Sequence, residues 1–264
     1  MDFYGNQLER PSVVVTRAES QSTELIEAIH ELGFKVIARP ALEITVPDDQ
    51  GASLRRALQT LSNYEWVILT STNGVSEFVK ASKELNIQTY PKIAVIGSAT
   101  EKALNNLGLT AILSPHQHVA ESLLEIFPSP EGNNNVLLSV AAKSRELLPT
   151  TLKERGWNVL VVHSYKSIRP KQFQPFDNDE ENAEFIIFTS PSTVINFIEM
   201  YGKENIPKQI ISIGPVTSEE VKKNNLKVSR EANPHDSSGI LQCLSLIHIS
   251  EPTRLLSSGV GGGG

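Results

Sequence analysis

Residues 66–78 read WVILTSTNGVSEF and residues 185–197 read FIIFTSPSTVINF, so one pattern occurs twice in the chain. In both copies a short apolar run is followed by Thr-Ser and then by apolar residues at helical spacing. This pattern predicts a buried β-strand that leads into an α-helix. A second pair, IGSATEKA at residues 96–103 and IGPVTSEE at residues 213–220, follows in the same order. The repeats predict two similar α/β units, each built around a parallel sheet.

The rest of the chain up to residue 244 shows the same alternation of β-branched runs and helical segments. Further strands are predicted at residues 13–15, 34–38, 93–96, 136–139, 157–162 and 210–213. Helices are predicted at residues 20–32, 74–85, 100–107, 121–127, 193–200 and 217–224, with another that ends at residue 155. Strands that alternate with helices are typical of parallel α/β folds.

The composition excludes several classes of protein. The chain has 264 residues, a formal net charge of −6 and 39% hydrophobic residues, which indicates a folded protein of one large or two medium domains. No apolar run approaches the roughly 18–20 residues of a membrane span, so no membrane partner is expected. An acidic chain without a basic block is not expected to bind nucleic acid. A single cysteine, Cys243, excludes a disulfide framework and predicts a cytoplasmic protein.

Residues 245–264 have no strand or helix pattern and end in four glycines. The string SLIHISEPTR resembles the translation of a sequencing adapter, and the closing glycines resemble a run of guanine base calls. We therefore predict that this segment is not native and leave it out of the fold prediction. The alternative is a natural Gly/Ser-rich tail.

Several common catalytic motifs are missing from the sequence. Neither Gly-x-Gly-x-x-Gly nor Gly-x-x-x-x-Gly-Lys-Ser/Thr occurs, so dinucleotides and nucleoside triphosphates are not predicted as ligands. His116 and His118 form an isolated pair in a Pro-rich loop, which we interpret as solvated rather than metal-binding. The sequence therefore predicts neither a metal nor a cofactor.

Four predicted junctions between a strand and a helix are rich in Ser, Thr, Asn and Gly. They lie at residues 70–74, 97–100, 189–192 and 214–217. Helix N-termini at the carboxyl ends of parallel strands offer free backbone N–H groups to anions. These residue types also cap helices without binding any ligand. Because the junctions form two matched pairs, we interpret them as an anion-binding site.

Seven segments in a fixed order carry a family resemblance. They are residues 13–17 (VVVTR), 39–44 (RPALEI), 70–74 (TSTNG), 96–104 (IGSATEKAL), Tyr165, 189–192 (TSPS) and 213–217 (IGPVT). In this order they resemble the uroporphyrinogen-III synthase family over residues 13–244. The resemblance implies an α/β fold of two flavodoxin-like parallel-sheet domains that face each other across a cleft. It implies a discontinuous domain of residues 1–38 and 170–244, an inserted domain of residues 44–163, and a two-stranded connector whose strands are residues 39–43 and 164–169.

The family's reaction is the expectation for function. It closes the linear tetrapyrrole hydroxymethylbilane to uroporphyrinogen III, with loss of water and inversion of ring D through a spiro intermediate, and needs neither metal nor cofactor. The substrate carries eight carboxylates, so binding it chiefly requires groups that recognise anions. The resemblance further implies a monomer that could receive its substrate from hydroxymethylbilane synthase. The alternative, from another class, is a cofactor-free two-lobed protein that binds small anions.

The resemblance also implies the residues of the site. Tyr165 is expected to hydrogen-bond the departing hydroxyl or to act as its acid; the alternative is a tyrosine of the connector with no catalytic role. Eleven residues are expected to bind the substrate: Arg17, Ser71, Asn73, Gly97, Ser98, Thr100, Arg145, Ser190, Ser192, Gly214 and Thr217. The chain departs from the family at residues 139–142, which read SVAA where glycines are usual.

Overall fold

The computed structural model describes residues 10–115, 119–176 and 182–250, without the side chains of residues 247–250. The chain divides into two compact units. Unit 1 contains the described residues up to Glu43 and from Ile168 onward, and unit 2 spans Ile44–Ser167. Within the described ranges no helix is both long and apolar enough to cross a membrane.

Ten strands and nine α-helices are named here in chain order. The strands are β1 Ser12–Val15, β2 Lys35–Ala38, β3 Glu43–Thr45, β4 Trp66–Leu69, β5 Lys92–Val95, β6 Asn135–Ala141, β7 Asn158–Ile168, β8 Phe185–Phe188, β9 Gln209–Ser212 and β10 Val228–Glu231. The helices are α1 Thr23–Glu31, α2 Ala52–Gln59, α3 Thr72–Glu84, α4 Ser98–Asn106, α5 Ala120–Ile126, α6 Leu147–Glu154, α7 Pro191–Tyr201, α8 Pro215–Lys223 and α9 Ser237–Ser250. Short 3-10 turns occupy Glu19–Gln21 and Leu61–Asn63.

The sheet of unit 1 has the strand order β10-β9-β8-β1-β2, and every neighbouring pair is parallel. From β2, this is the order 2-1-3-4-5 of flavodoxin-like sheets. Helices cover both faces because alternate strand residues are apolar on each side. On one face Leu25 of α1 and Leu244 of α9 belong to the same buried cluster as Val13. On the other face Phe197 of α7 and Val221 of α8 are buried together with Val14 and its neighbours.

The sheet of unit 2 has the order β3-β7-β6-β4-β5, in which β7, β6, β4 and β5 form parallel pairs. Helices α2, α3 and α4 cover one face, and α5 and α6 cover the other. On the second face Trp66, Phe127 and Trp157 pack in series, with ring centroids 5.1 Å and 5.5 Å apart. Aromatic contacts of this kind stabilise a core beyond simple burial of apolar area.

The predicted pair of α/β units with mainly parallel sheets is confirmed, and several predicted boundaries are corrected. Strand β7 is continuous from Asn158 to Ile168, through both the strand predicted at residues 157–162 and the segment 164–169 expected as a connector strand. The other connector strand was expected at residues 39–43, whereas β3 spans Glu43–Thr45; the short α2 and β10 were not predicted. Helix α9 continues to Ser250, although the sequence predicts no regular structure after Leu244. A helix that has already formed is extended at little cost, because each added residue gains a hydrogen bond.

Candidate active site

The strand order determines where a ligand can approach each sheet. In unit 1, α1 leaves β1 toward one face and α7 leaves β8 toward the other, which opens a crevice at the carboxyl ends of these neighbouring strands. In unit 2, α3 and α6 diverge in the same way after β4 and β6. Ligands of open α/β sheets bind at such switch points. Apart from Tyr165, which lies within β7, the predicted site residues lie in the segments that follow the carboxyl ends of strands.

Arg17 lies two residues after the end of β1 and is half-buried. Its guanidinium donates hydrogen bonds to the Ser237 hydroxyl (3.3 Å) and to the Gln21 side-chain oxygen (3.5 Å), both neutral acceptors. Burial lowers the pKa of Arg17, and the charge of Glu24 partly offsets this shift. The guanidinium nevertheless stays protonated at neutral pH. Among the described residues no carboxylate forms an ion pair with Arg17, so this partly desolvated cation suits an incoming carboxylate.

Two of the predicted serines cap their own helices. Ser71 precedes α3, and its hydroxyl accepts a hydrogen bond from the Gly74 N–H (3.1 Å). Ser190 precedes α7, where its hydroxyl accepts from the Thr193 N–H and the Thr193 hydroxyl accepts from the Ser190 N–H, both at 3.3 Å. These reciprocal bonds form a capping box. The capping interpretation therefore holds for both serines, whether or not they also contact a ligand.

Glycines precede the other two helices of the repeat. Gly97 precedes α4 and Gly214 precedes α8, and neither helix has a hydrogen bond from a capping side chain. Their first-turn N–H groups are therefore not satisfied by a cap and can bind an anion. Thr100 and Thr217 occupy the third position of these helices, with only 4% and 3% of their surfaces exposed. Because both side chains are buried, we expect these threonines to offer a ligand their backbone N–H groups.

Gly214 lies against a histidine that sequence reasoning left out of the site. Its φ of 171° is extended, so the backbone does not demand glycine. A Cβ added there would lie 3.2 Å from Cγ and 3.3 Å from Nδ1 of His235. His235 Nδ1 donates to the Ala232 carbonyl oxygen (2.7 Å), since that oxygen can only accept. Glycine at position 214 thus allows the imidazole ring to approach the first turn of α8.

Unit 2 places two further serines beside α3. The Ser139 hydroxyl donates to the Ser164 hydroxyl (2.9 Å), which donates to the Val140 carbonyl oxygen (3.3 Å). Both serines are buried. A Cβ added to Gly74 would lie 3.7 Å from each hydroxyl oxygen, an ordinary van der Waals distance, so α3 begins within contact range of both serines. A buried cluster of hydroxyl groups therefore lies at the switch point of unit 2.

Tyr165 lies on β7, paired with Ala141 of β6, and its carbonyl oxygen accepts from the Ala142 N–H (2.8 Å). Only 9% of its surface is exposed. Within the described part of the chain its phenol group has no hydrogen-bond partner. Arg145 precedes α6 and is exposed, and it too lacks a hydrogen bond or ion pair to any described residue.

The remaining predicted residues lie in the first turns of the helices that follow the strands. Ser98 and Ser192 are exposed in the first turns of α4 and α7, and Asn73 is partly buried in the first turn of α3. His116 and His118, interpreted as solvated, lie outside the described residues. Across the described ranges no group of three or more His, Cys, Asp or Glu side chains could hold a metal ion.

A family model described as uroporphyrinogen-III synthase HemD matches residues 23–242. The chain belongs to the uroporphyrinogen-III synthase family. The uroporphyrinogen-III synthase of Synechococcus elongatus is 30% identical over 246 residues, which cover 87% of this chain and 92% of that protein. The putative uroporphyrinogen-III synthase of Methanothermobacter thermautotrophicus is 27% identical over 229 residues, covering 81% and 90% of the two chains.

Solved structures of this family share the fold. A mutant uroporphyrinogen III synthase from Thermus thermophilus superimposes with a TM-score of 0.62 at 19% identity, over 91% of this chain and 100% of that one. The Helicobacter pylori protein gives a TM-score of 0.56 at 18% identity, over 89% and 99%. Membership of the uroporphyrinogen-III synthase family supports a lyase of tetrapyrrole biosynthesis. It does not favour the alternative of a small-anion binding protein.

Sequence reasoning about this uroporphyrinogen-III synthase family member missed His235, Ser139 and Ser164. His235 follows a short polar strand that was not predicted, so nothing placed it at a strand end. Ser139 could have been found, because it is the polar residue that ends the apolar run VLLS. Ser164 carries no sequence signal, since its role depends on how β7 pairs with β6.

Proposed function

We propose that the protein converts hydroxymethylbilane to uroporphyrinogen III, with loss of water and inversion of ring D. The family match over residues 23–242 carries this proposal. In the reaction the carbon–oxygen bond of the hydroxymethyl group breaks, and the oxygen leaves as water after gaining a proton. A carbon–carbon bond then forms toward the spiro intermediate. The protein's main task would be to hold the chain so that this attack outruns simple closure.

Binding of the eight carboxylates is proposed to use helix N-termini and arginines. The glycine-capped starts of α4 and α8 support this, because their first-turn N–H groups have no capping side chain. Arg17 adds a partly desolvated cation with neutral partners, which favours a charge-assisted hydrogen bond to a carboxylate. The full proposed set is Arg17, Ser71, Asn73, Gly97, Ser98, Thr100, Arg145, Ser190, Ser192, Gly214 and Thr217.

Tyr165 is proposed to act on the departing hydroxyl, either as a hydrogen-bond donor or as the acid. Its phenol group has no partner among the described residues, so the proton is available to a substrate. General acid catalysis contributes about 10²–10⁴-fold to a rate, and a hydrogen bond alone contributes less. The size of the loss in Tyr165→Phe therefore distinguishes the two roles.

The test of the function is the product isomer. The protein is incubated with freshly prepared hydroxymethylbilane, and the oxidised products are separated by chromatography. We expect the type III isomer to dominate. A mixture that contains only the type I isomer, the product of spontaneous closure, would contradict the proposal.

We further propose that the protein is a cytoplasmic monomer and accepts its substrate from hydroxymethylbilane synthase. The chemistry supports a handover, because the linear substrate closes spontaneously when it is free. Light scattering during size-exclusion chromatography tests the monomer. A coupled assay tests the handover: with both enzymes present, the type III fraction should resist dilution more than with added free substrate.

A further inference from the structure

Strand β7 contains one residue more than its partner at the carboxyl end of the sheet in unit 2. Val140 pairs with His163, and the next residue of β6, Ala141, pairs with Tyr165. Ser164 is therefore left without a partner in the pairing, as in a β-bulge. An extra residue of this kind redirects the side chains that follow it.

The extra residue changes the sheet face on which Tyr165 lies. Paired residues of neighbouring strands share a face, and successive residues alternate between faces. Ser139 pairs with Val162, which belongs to the buried cluster on the α3 face. Ala141 is two residues further along β6 and shares that face, so its partner Tyr165 does too. Uninterrupted pairing would instead align Tyr165 with Ala142, on the face covered by α5 and α6.

The burial pattern agrees with this change of face. Ser164 and Tyr165 are consecutive, yet 2% and 9% of their surfaces are exposed, whereas His163 is exposed. Tyr165 shares the α3 face through its pairing with Ala141, and Ser164 reaches the same side through its hydrogen bond with Ser139. Both therefore lie toward the α3 side, where the hydroxyl groups of Ser139 and Ser164 approach Gly74.

We propose that the hydrogen-bonded pair of Ser139 and Ser164 positions Tyr165 for the reaction by holding the shifted pairing of β7. Ser139 donates to Ser164, and Ser164 donates to the Val140 carbonyl oxygen, the last β6 residue before the shift. Because both side chains are buried, losing one hydroxyl leaves the other short of a partner and favours rearrangement. This inference rests on the proposed function, in which Tyr165 acts on the substrate.

The experiment is a double-mutant cycle between Ser164→Ala and Tyr165→Phe, read as kcat and as the fraction of type III product. We expect Ser164→Ala alone to lower kcat about tenfold with little change in KM, because a modest displacement of a reacting group is costly. In the Tyr165→Phe background the same change should have no further effect on kcat. Ser139→Ala, which leaves the β7 sequence intact, should have the same effect on kcat. This second variant keeps the proposal testable if Ser164→Ala does not fold.

Ser82→Ala is the matched control. Ser82 is also fully buried in unit 2, on α3, and its hydroxyl donates to the Phe78 carbonyl oxygen (2.8 Å). We expect it to lower the thermal midpoint and leave kcat unchanged. An equal kcat loss from Ser164→Ala in both backgrounds, or an equal loss from Ser82→Ala, overturns the positioning role. If Tyr165→Phe leaves turnover unchanged, the proposed role of Tyr165 is itself wrong. This result differs from a failure of the positioning role, in which Tyr165→Phe lowers turnover but Ser164→Ala acts independently of it.

Discussion

Arg17 is partly removed from water, and its hydrogen-bond partners, Ser237 and Gln21, are uncharged. We predict that Arg17→Gln raises KM about tenfold or more, since hydrogen bonds to charged groups contribute about 1.5–3 kcal/mol. Effects on kcat should be smaller, because Arg17 is proposed to bind carboxylates that do not react. Initial-rate kinetics with hydroxymethylbilane provide the measurement. Arg56→Gln, an exposed arginine on α2, is the control, and an equal rise in its KM would count against a specific site.

The two glycines of the repeated motif are required for different reasons. Gly97 has a φ of 93°, which side-chain-bearing residues rarely adopt, whereas Gly214 is extended and contacts His235. We predict that Gly97→Ala lowers the free energy of unfolding by about 1–3 kcal/mol through backbone strain. Gly214→Ala should be destabilising only while the His235 ring is present. Urea unfolding of Gly214→Ala with and without His235→Ala measures this; equal costs in both backgrounds would refute the contact explanation.

At this scale the sequence indicates residue types but not their partners. Ser71 and Ser190 are recognisable as helix caps because they follow apolar runs and precede helical ones. The contact of Gly214 with His235 is not predictable, since it joins two loops through the tertiary fold. The same holds for Ser139 and Ser164, which are 25 residues apart in the chain.

Among the elements, α2 is stabilised at its first turn by a carboxylate, so its stability depends on pH. The Asp49 carboxylate accepts hydrogen bonds from the N–H groups of Gly51 (3.0 Å) and Ser53 (2.8 Å). Hydrogen bonds from the Ser53 side chain and backbone, the largest causes, lower the pKa of Asp49. A lowered pKa means that the stabilisation is complete above the ordinary value of ~3.9 and is lost as pH falls through the lowered one.

We predict that Asp49→Ala lowers the free energy of unfolding by about 0.5 kcal/mol at neutral pH, the low end of the cost of losing side-chain hydrogen bonds at a helix start, because this carboxylate is exposed to water. The difference from wild type should shrink as the pH falls below the ordinary pKa of aspartate. Thermal unfolding across an acidic pH series measures it. Asp48→Ala is the neighbouring control: Asp48 forms an exposed ion pair with Lys166, worth little in stability. A gap between Asp49→Ala and wild type that stays constant with pH would contradict the interpretation.

The elements that sequence predicts well are those with continuous apolar runs. β4 and β8 are apolar along their whole length because helices cover both faces, and such runs are visible directly. β3 (EIT) and β10 (VSRE) are short, polar and partly exposed, so no hydrophobic pattern marks them. No hydrophobic pattern marks β7 past Val162 either, since HSYKSI mixes polar and apolar residues, and only the family resemblance predicts a strand there.

For the whole molecule, the end of α9 decides how much of the chain the fold needs. Leu244 is fully buried against unit 1, whereas 53% of the surface of Leu246 is exposed. We predict that a chain ending at Leu244 keeps the thermal midpoint and the activity of the full chain. A chain ending at Gln242 should lose about 2–5 kcal/mol, the cost of removing a buried leucine side chain. Calorimetry of both truncations measures this, and a large loss on ending at Leu244 would argue that residues 245–264 belong to the fold.

The repeats predict the two units, but not how the chain is divided between them. Two copies of a strand-to-helix motif are equally compatible with consecutive domains. The strand orders supply the missing information: β1 pairs with β2 on one side and with β8 on the other, so unit 1 is assembled from segments on both sides of unit 2. Pairing between distant strands depends on long-range packing, which local patterns do not encode.

That interruption has a consequence for synthesis on the ribosome. β1 and β2 emerge early, yet the neighbour of β1 on its other side, β8, is translated only after all of unit 2. At about 5–20 residues per second the delay is on the order of 10 s. During this time the apolar strand Ser12–Val15 has an open edge, a known hazard for aggregation. Unit 2, which is continuous in the chain, can meanwhile fold by itself, so the nascent protein would need a chaperone chiefly at its first two strands.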